Sequence, residues 1–415
     1  MTLVQAVDLL VASLPVALFS AAIFLILIGP ISTLMRRLGW VDRPSRRKAH
    51  EGAVPIAGGI GLVLTLLLVA LWTSVAPGSL GVSRAALAAL SEPWALGLAA
   101  GALLVFAVAF TDDRTPIRAR WRFIAQGAAV VAAVVGGTWI ATLGELLWAR
   151  ELRLPLLLAV PFTVFGVCGV INALNMSDGA DGLAGGLALM ATFWFALVLA
   201  YLAGSHAEAA ALLPVACALA GALVGFLAMN LRTPWRARAA IFMGDGGSMM
   251  LGFVLGWLAV RVTNAFGADA PAPVVALWIL AVPLADTVSC MMRRVAHGAT
   301  PMSPDHRHLH HLLPAMGLSI RRSVAIILAV AFVLGGLGVL GWRAGVPDWV
   351  MFWAWVALFV AYHYAALRFW ATQPEDPLAP LPEHRRYPLR ALKRRVVRLL
   401  GLHDVDLGPV DRKGH

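Results

Sequence analysis

Charge is what this sequence has least of. Only 13% of its 415 residues are Asp, Glu, Lys or Arg, where a soluble globular chain carries about a quarter. With 60% hydrophobic residues and a mean hydropathy of +0.80, that shortage excludes a soluble domain. Cysteine is nearly absent as well: Cys168, Cys217 and Cys290 each fall inside an apolar run. They read as small buried residues, and neither a disulfide framework nor a zinc-type cluster is expected from them. No basic stretch precedes the first apolar run, whose first charge is Asp8, so that run reads as a retained span and not a cleaved signal peptide. No internal repeat stands out, and no polar stretch is long enough to form a separate soluble domain.

What the chain has instead is apolar segments. They fall at about 14–35, 55–76, 93–111, 123–143, 154–172, 182–203, 210–229, 247–265, 272–291, 322–341 and 347–370, and a span needs about 20 such residues. The expectation is an all-α, polytopic membrane protein of about eleven transmembrane helices over residues 1–371. A basic tail over 372–415 follows. Within it, Leu389, Leu392, Val396 and Leu400 recur at helical spacing among Lys and Arg, which suits an interfacial helix on anionic lipid.

The net charge of +11 invites a nucleic-acid reading, but in a polytopic chain the location of the charge decides. With the N-terminus outside, 27 Lys and Arg fall in inside segments and 4 in outside segments. The positive-inside rule therefore sets the N-terminus outside and the C-terminus in the cytoplasm. The partner implied is the lipid bilayer, with no nucleic acid. Asp112, Asp113, Asp178, Asp181, Asp245 and Asp305 all fall at or beside the cytoplasmic ends of spans. Asp286 lies seven residues before Arg293, hence roughly 10 Å into the membrane. A secondary transporter would place its acids nearer the midplane and carry an inverted repeat; only Asp286 leans that way.

Four polar constellations share this face. The first is Asp112-Asp113-Arg114; adjacent carboxylates favour a nearby cation or a shared proton, although a helix cap is an equal reading. The second, N-A-L-N-M-S-D-G-A-D-G-L-A-G-G over 172–186, stacks Asn172, Asn175 and Asp178 at three-residue spacing. It offers the few oxygen ligands that Mg²⁺ takes alongside substrate phosphates. The third is F-M-G-D-G-G-S around Asp245, either a phosphate and metal corner at a helix N-terminus or a simple N-cap. The fourth joins Arg293-Arg294 to S-P-D-H-R-H-L-H-H over 303–311. Its His and Arg side chains are donors for phosphate oxygens or a solvated loop. The basic segment Arg43–His50, with Lys48, leads into V-P-I-A-G-G and serves topology or a lipid phosphate.

Taken in order over residues 42–313, the motifs R-K-A-H-E-G-A-V-P-I-A-G-G, D-D-R, N-A-L-N-M-S-D-G-A-D-G-L-A-G-G, F-M-G-D-G-G-S and R-R…S-P-D-H-R-H-L-H-H-L-L resemble the polyprenyl-phosphate N-acetylhexosamine-1-phosphate transferase family. The V-P-I-A-G-G form and the His-Leu-His-His loop resemble its UDP-N-acetylglucosamine branch. The resemblance implies that undecaprenyl phosphate attacks the β-phosphate of a UDP-sugar donor, with loss of UMP and with Mg²⁺ present, or Mn²⁺ in its place. It implies Asn175 and Asp245 as metal ligands, and Asp112 as the acid nearest the lipid phosphate, supported by Asp113. It also implies Asp178 and Asp181 around the nucleotide, and Asn172, Lys48, Arg294, His308, His310 and His311 on the substrates. The usual Ile-Asp-Gly-Leu-Asp-Gly is here Ser-Asp-Gly-Ala-Asp-Gly, and His306 replaces the basic residue that commonly follows Asp305. The expected setting is the bacterial inner membrane, with the active site on the cytoplasmic face and the product opening a lipid-linked polysaccharide such as O antigen. Another UDP-N-acetylhexosamine donor stays open, as does the oligomeric state, a homodimer included.

Overall fold

The computed structural model describes residues 2–43, 52–146, 150–302 and 307–372. Lys48, Arg46, Arg47, Asp305, His306 and the basic tail from residue 373 lie outside the described residues. Short α1 (Leu3–Ala12) runs almost directly into α2 (Leu14–Arg37), which starts with proline in its first turn and ends on Arg36 and Arg37. Cations there suit the negative end of the helix dipole. A two-residue antiparallel ladder, β1 (Val41–Asp42) with β2 (Val54–Pro55), pairs Val41 with Pro55 and Asp42 with Val54. Then come α3 (Gly58–Val75), short α4 (Arg84–Ala89), α5 (Pro93–Asp112), α6 (Ala119–Val135), α7 (Leu156–Met176), α8 (Leu183–Leu202), α9 (Ala207–Asn230) and α10 (Gly244–Asn264). The chain ends with α11 (Pro273–Ile279), α12 (Ala281–Ala296), α13 (Leu309–Ala315), α14 (Ile320–Arg343) and α15 (Asp348–Ala371).

Among the described residues, nine helical stretches are long and apolar enough to cross a membrane, counting α1 with α2, and the bent pair α11–α12 raises the number to ten. The eleventh apolar run is α6, whose 17 residues give about 26 Å of helix. The expected polytopic all-α architecture therefore holds, with one difference in kind. The run at 272–291 is not a single straight helix: it breaks at Leu280 and bends by 54°.

Helix α10 is the axis of the bundle, since its apolar stretch is wholly buried whereas only 11% of that of α15 is. Lipid gives helices no hydrophobic reason to associate, so close packing through small residues does the work. Gly252 and Gly256 let α10 lie against α7. A Cβ at Gly252 would stand 2.6 Å from Ile171 Cα, and one at Gly256 3.0 Å from a Val167 methyl. Gly97 and Gly101 do the same for α5 against α6, meeting the Ala132 and Ala129 carbonyls at 2.8 and 2.9 Å. Near the far end of α10, buried Arg261 is compensated by Glu208 on α9 at 2.5 Å and the Gly137 carbonyl at 2.7 Å. That pairing is what an intramembrane charge requires. The opposite end of α10, at Gly244, carries the site.

Because α7 and α10 both carry site residues, their separation should control folding and function together. Gly252→Val should destabilise the protein by about 1–3 kcal/mol through overpacking, read as a lowered thermal midpoint of the detergent-solubilised protein. An unchanged midpoint would contradict the close α7–α10 contact.

Candidate active site

The first residues of α10 are held from outside the helix. Asp245 is not the N-cap: it is the second residue of α10, and the preceding Met243 makes no side-chain cap. The capping carboxylate comes from Asp113, just past the end of α5. Its two oxygens accept the backbone N–H groups of Asp245 at 2.9 Å and of Gly246 at 3.1 Å. Those donors, which a phosphate could have used, are thus already engaged by the protein. Gly244 starts the helix at φ +77°, where a side chain would be strained and a Cβ would meet Asp113 Oδ2 at 2.7 Å. Burial raises the Asp113 carboxyl to about 6, the nearby Asp245 charge adding to this and the two N–H bonds opposing it.

The V-P-I-A-G-G segment braces the same corner. Phe242 donates its N–H to Pro55 O at 3.0 Å, and Gly58 and Gly59 donate theirs to Phe242 O and Met243 O at 2.9 and 3.0 Å. A Cβ on Gly59 would lie 2.7 Å from the Gly247 nitrogen, so this glycine pair is a requirement of backbone contact. Beside it, Leu38, Trp40, Val41, Ile56, Phe110, Asp113 and Arg114 line a cavity of about 410 Å³.

With its backbone fixed, Asp245 turns its carboxylate to two partners. Asn175, at the end of α7, donates its amide to Asp245 Oδ1 at 3.1 Å and to Ser248 Oγ at 2.9 Å. Arg122, in the first turns of α6, stands between two acids, 2.7 Å from Asp112 Oδ2 and 3.7 Å from Asp245 Oδ2. Asp112 also accepts the Ile117 N–H at 2.5 Å. The adjacent aspartates therefore do different work, Asp113 anchoring α10 and Asp112 facing Asp245 across a cation. Asn172 sits one turn back from Asn175 and donates to Gln126 of α6 at 2.9 Å and to Cys168 O at 2.7 Å.

The stretch from Asn172 to Gly182 links this corner to the histidines. Asp178 is half-buried, its N–H on Asn175 O at 3.1 Å. Gly179 lies directly under the His310 imidazole, which a Cβ there would overlap. Asp181 accepts from Arg232 Nε at 2.7 Å and Ala239 N at 3.2 Å, so it pins the segment between α9 and α10. Gly182 donates its N–H to the buried Asn230 side chain at 2.7 Å, and Asn230 in turn holds Ile241 O at 2.8 Å. His308 and His310 are both buried and stack at 5.6 Å; His311 is half-buried, its ring 4.2 Å from that of His310. Arg294 reaches His308 Nε2 at 3.2 Å and Pro301 O at 2.7 Å.

Asp286, Cys290 and His308 place three metal-type ligand atoms within 4.8 Å of one another. The Arg293 guanidinium, 2.8 Å from the Cys290 sulfur, already supplies positive charge to that group.

Sequence reasoning missed Arg122, Gln126, Asn230 and Arg232 as partners of the motif residues. Gln126 left a signal, being polar within an otherwise apolar run, whereas Asn230 falls just past the end of the run at 210–229. Arg122 and Arg232 left none beyond their place among topology-setting bases.

The family model described as Glycosyl transferase family 4 matches residues 95–263, which include Asp112, Asn175, Asp181 and Asp245. The undecaprenyl-phosphate alpha-N-acetylglucosaminyl 1-phosphate transferase of Escherichia coli O157:H7 is 34% identical over 347 residues, covering 81% of this chain and 86% of that protein. The protein of the same name from Yersinia pestis is 34% identical over 341 residues, 80% of this chain and 86% of its own length. That from Haemophilus influenzae is 32% identical over 361 residues, 84% of this chain and 94% of its own length. With the motif residues gathered at one end of the bundle and this likeness running over most of both chains, the protein belongs to glycosyl transferase family 4, among the polyprenyl-phosphate N-acetylhexosamine-1-phosphate transferases.

Proposed function

We propose that this protein transfers N-acetylglucosamine 1-phosphate from UDP-N-acetylglucosamine to undecaprenyl phosphate, releasing UMP and initiating a lipid-linked cell-surface polysaccharide such as O antigen. The observation that carries this reading is the meeting of Asp112, Asp113, Asn175 and Asp245 at one corner. Three sequence-distant segments contribute to that corner at the ends of spans, where a lipid phosphate can reach it. In the reaction, an oxygen of the acceptor phosphate bonds to the β-phosphorus of the donor. The bond from that phosphorus to the bridging oxygen breaks, and UMP leaves with the electron pair. Both reactants are anions, so charge repulsion is the main barrier and fixed cations and donors lower it.

Mg²⁺ fits the donor set on the α7 and α10 side. Asn175 and Asp245 offer oxygen ligands, the kind that Mg²⁺ takes. The cation of Arg122 between Asp112 and Asp245 marks this as a place that calls for positive charge. When bound there, the metal would neutralise pyrophosphate oxygens and the leaving UMP, and Mn²⁺ could replace it. Asp112, oriented by Arg122 and the Ile117 N–H, is assigned to accept the proton of the acceptor phosphate. Asp178 and Asp181 shape the nucleotide side, Asp181 by holding Arg232. Arg294, His310 and His311 lie across Gly179 from the metal corner and are assigned to the donor's phosphate and sugar. The proposed setting is the inner membrane, with the N-terminus outside and this corner in the cytoplasm.

Purified protein in lipid nanodiscs should release UMP from UDP-N-acetylglucosamine only when undecaprenyl phosphate and a divalent cation are both present, with mass detection of the lipid-linked product. No release from folded protein under those conditions would contradict the proposal. For orientation, a fluorescent protein fused after His415 should be bright and an alkaline phosphatase fused there inactive. The reverse pattern would overturn the cytoplasmic assignment.

A further inference from the structure

Asp286 lies on α12 with 5% of its surface exposed, and a carboxylate buried in a membrane bundle is costly unless fully compensated. It ties three segments together. Its Oδ2 is 2.9 Å from His308 Nδ1, and its Oδ1 accepts the Leu309 N–H at 2.9 Å and the Tyr362 hydroxyl at 2.7 Å. Leu309 begins α13, and Tyr362 lies on α15, far along the chain from every motif residue. The same stretch of α12 grips the histidine loop a second time, Arg293 donating to the Arg307 carbonyl at 2.7 Å.

These partners fix the state of His308. A guanidinium only donates hydrogen bonds, so the Arg294 NH2 group 3.2 Å from His308 Nε2 makes that nitrogen an acceptor. The proton then resides on Nδ1, directed at the Asp286 carboxylate. In that tautomer both ring nitrogens are engaged inside the protein, and no N–H is left to give to an anion. This departs from the reading in which His308 itself holds phosphate. Its geometry transmits instead: one edge orients Arg294, whose NH1 is held at Pro301 O, and one face stacks on His310 with ring planes 11° apart.

We propose that Asp286 and Tyr362 are positioning residues for the donor's phosphate and sugar groups, acting through the Nδ1–H tautomer of His308 to set Arg294 and His310. The inference rests on the proposed reaction for the identity of the ligand; the tautomer does not.

In full-length protein in nanodiscs, Tyr362→Phe keeps the ring and removes one hydrogen bond to the carboxylate. It should raise the KM for UDP-N-acetylglucosamine about threefold, and Asp286→Asn should raise it about tenfold, with the KM for undecaprenyl phosphate unchanged in both. In a His308→Ala background, Tyr362→Phe should add nothing, because the residue it acts through is gone. Equal effects in the two backgrounds, or an equal rise in both KM values, would overturn the proposal. Nitrogen NMR of ¹⁵N-histidine-labelled protein gives a readout independent of turnover. One imidazole should carry its proton on Nδ1, disappear in His308→Ala and shift in Tyr362→Phe. A His308 signal with the proton on Nε2 would overturn the inference, whereas wild-type protein inactive on the UDP-sugar would instead fail the proposed reaction.

Discussion

Everything at the functional end of this molecule depends on one carboxylate capping a helix that is not its own. Helix α10 is buried along its apolar stretch, and its first turn, like that of every helix, leaves N–H groups that need partners. Asp113 takes those of Asp245 and Gly246 and joins the end of α5 to the start of α10. The negative charge sits at the positive end of the helix dipole, where it is favoured, while burial works against it. The position of the Asp245 side chain follows from that anchor, and Asn175 and Arg122 then meet it from α7 and α6.

The membrane explains why buried charges elsewhere in the bundle have partners. Charges inside the bundle are paired, Arg261 with Glu208 and Asp286 with His308 and Tyr362, because hydrocarbon offers no alternative partner. Helices come together through glycines at four-residue spacing, and on α10 these same glycines set the distance at which Asn175 and Asp245 meet. Packing and chemistry are thus carried by the same two helices. The stretch from Asn172 to Gly182 is the strip along which the proposed metal corner and the histidine loop approach each other, through Asn175 at one end and Gly179 near the other.

Much of this was legible in the amino-acid sequence. The apolar runs correspond to the long helices, because a span of hydrocarbon demands an uninterrupted apolar stretch whatever its neighbours. The glycine-flanked acids stood out because a membrane chain has no structural need for them. What could not be read was partnership. Nothing near Asp113 in the sequence says that it caps α10, 132 residues later, and nothing near Tyr362 points to Asp286. Asp245 had two readings, cap or functional carboxylate, and only the location of Asp113 separates them. His308 likewise looked like its neighbours His310 and His311, yet in the fold its two ring nitrogens face Asp286 and Arg294. The break at Leu280 was hidden because a bent pair and a straight span share the same composition.

The most direct test of this account is the divalent-cation dependence of UMP release by Asp113→Asn. The amide keeps the size of the carboxylate but can accept only through its single oxygen, so one of the two N–H groups loses its partner. If Asp113 acts by setting Asp245 at the proposed metal corner, folded Asp113→Asn should need about tenfold more Mg²⁺ for half-maximal rate and recover part of its turnover at high Mg²⁺. Lost turnover with the Mg²⁺ dependence of the wild type would contradict that role and move Asp113 from the scaffold of the site into its chemistry.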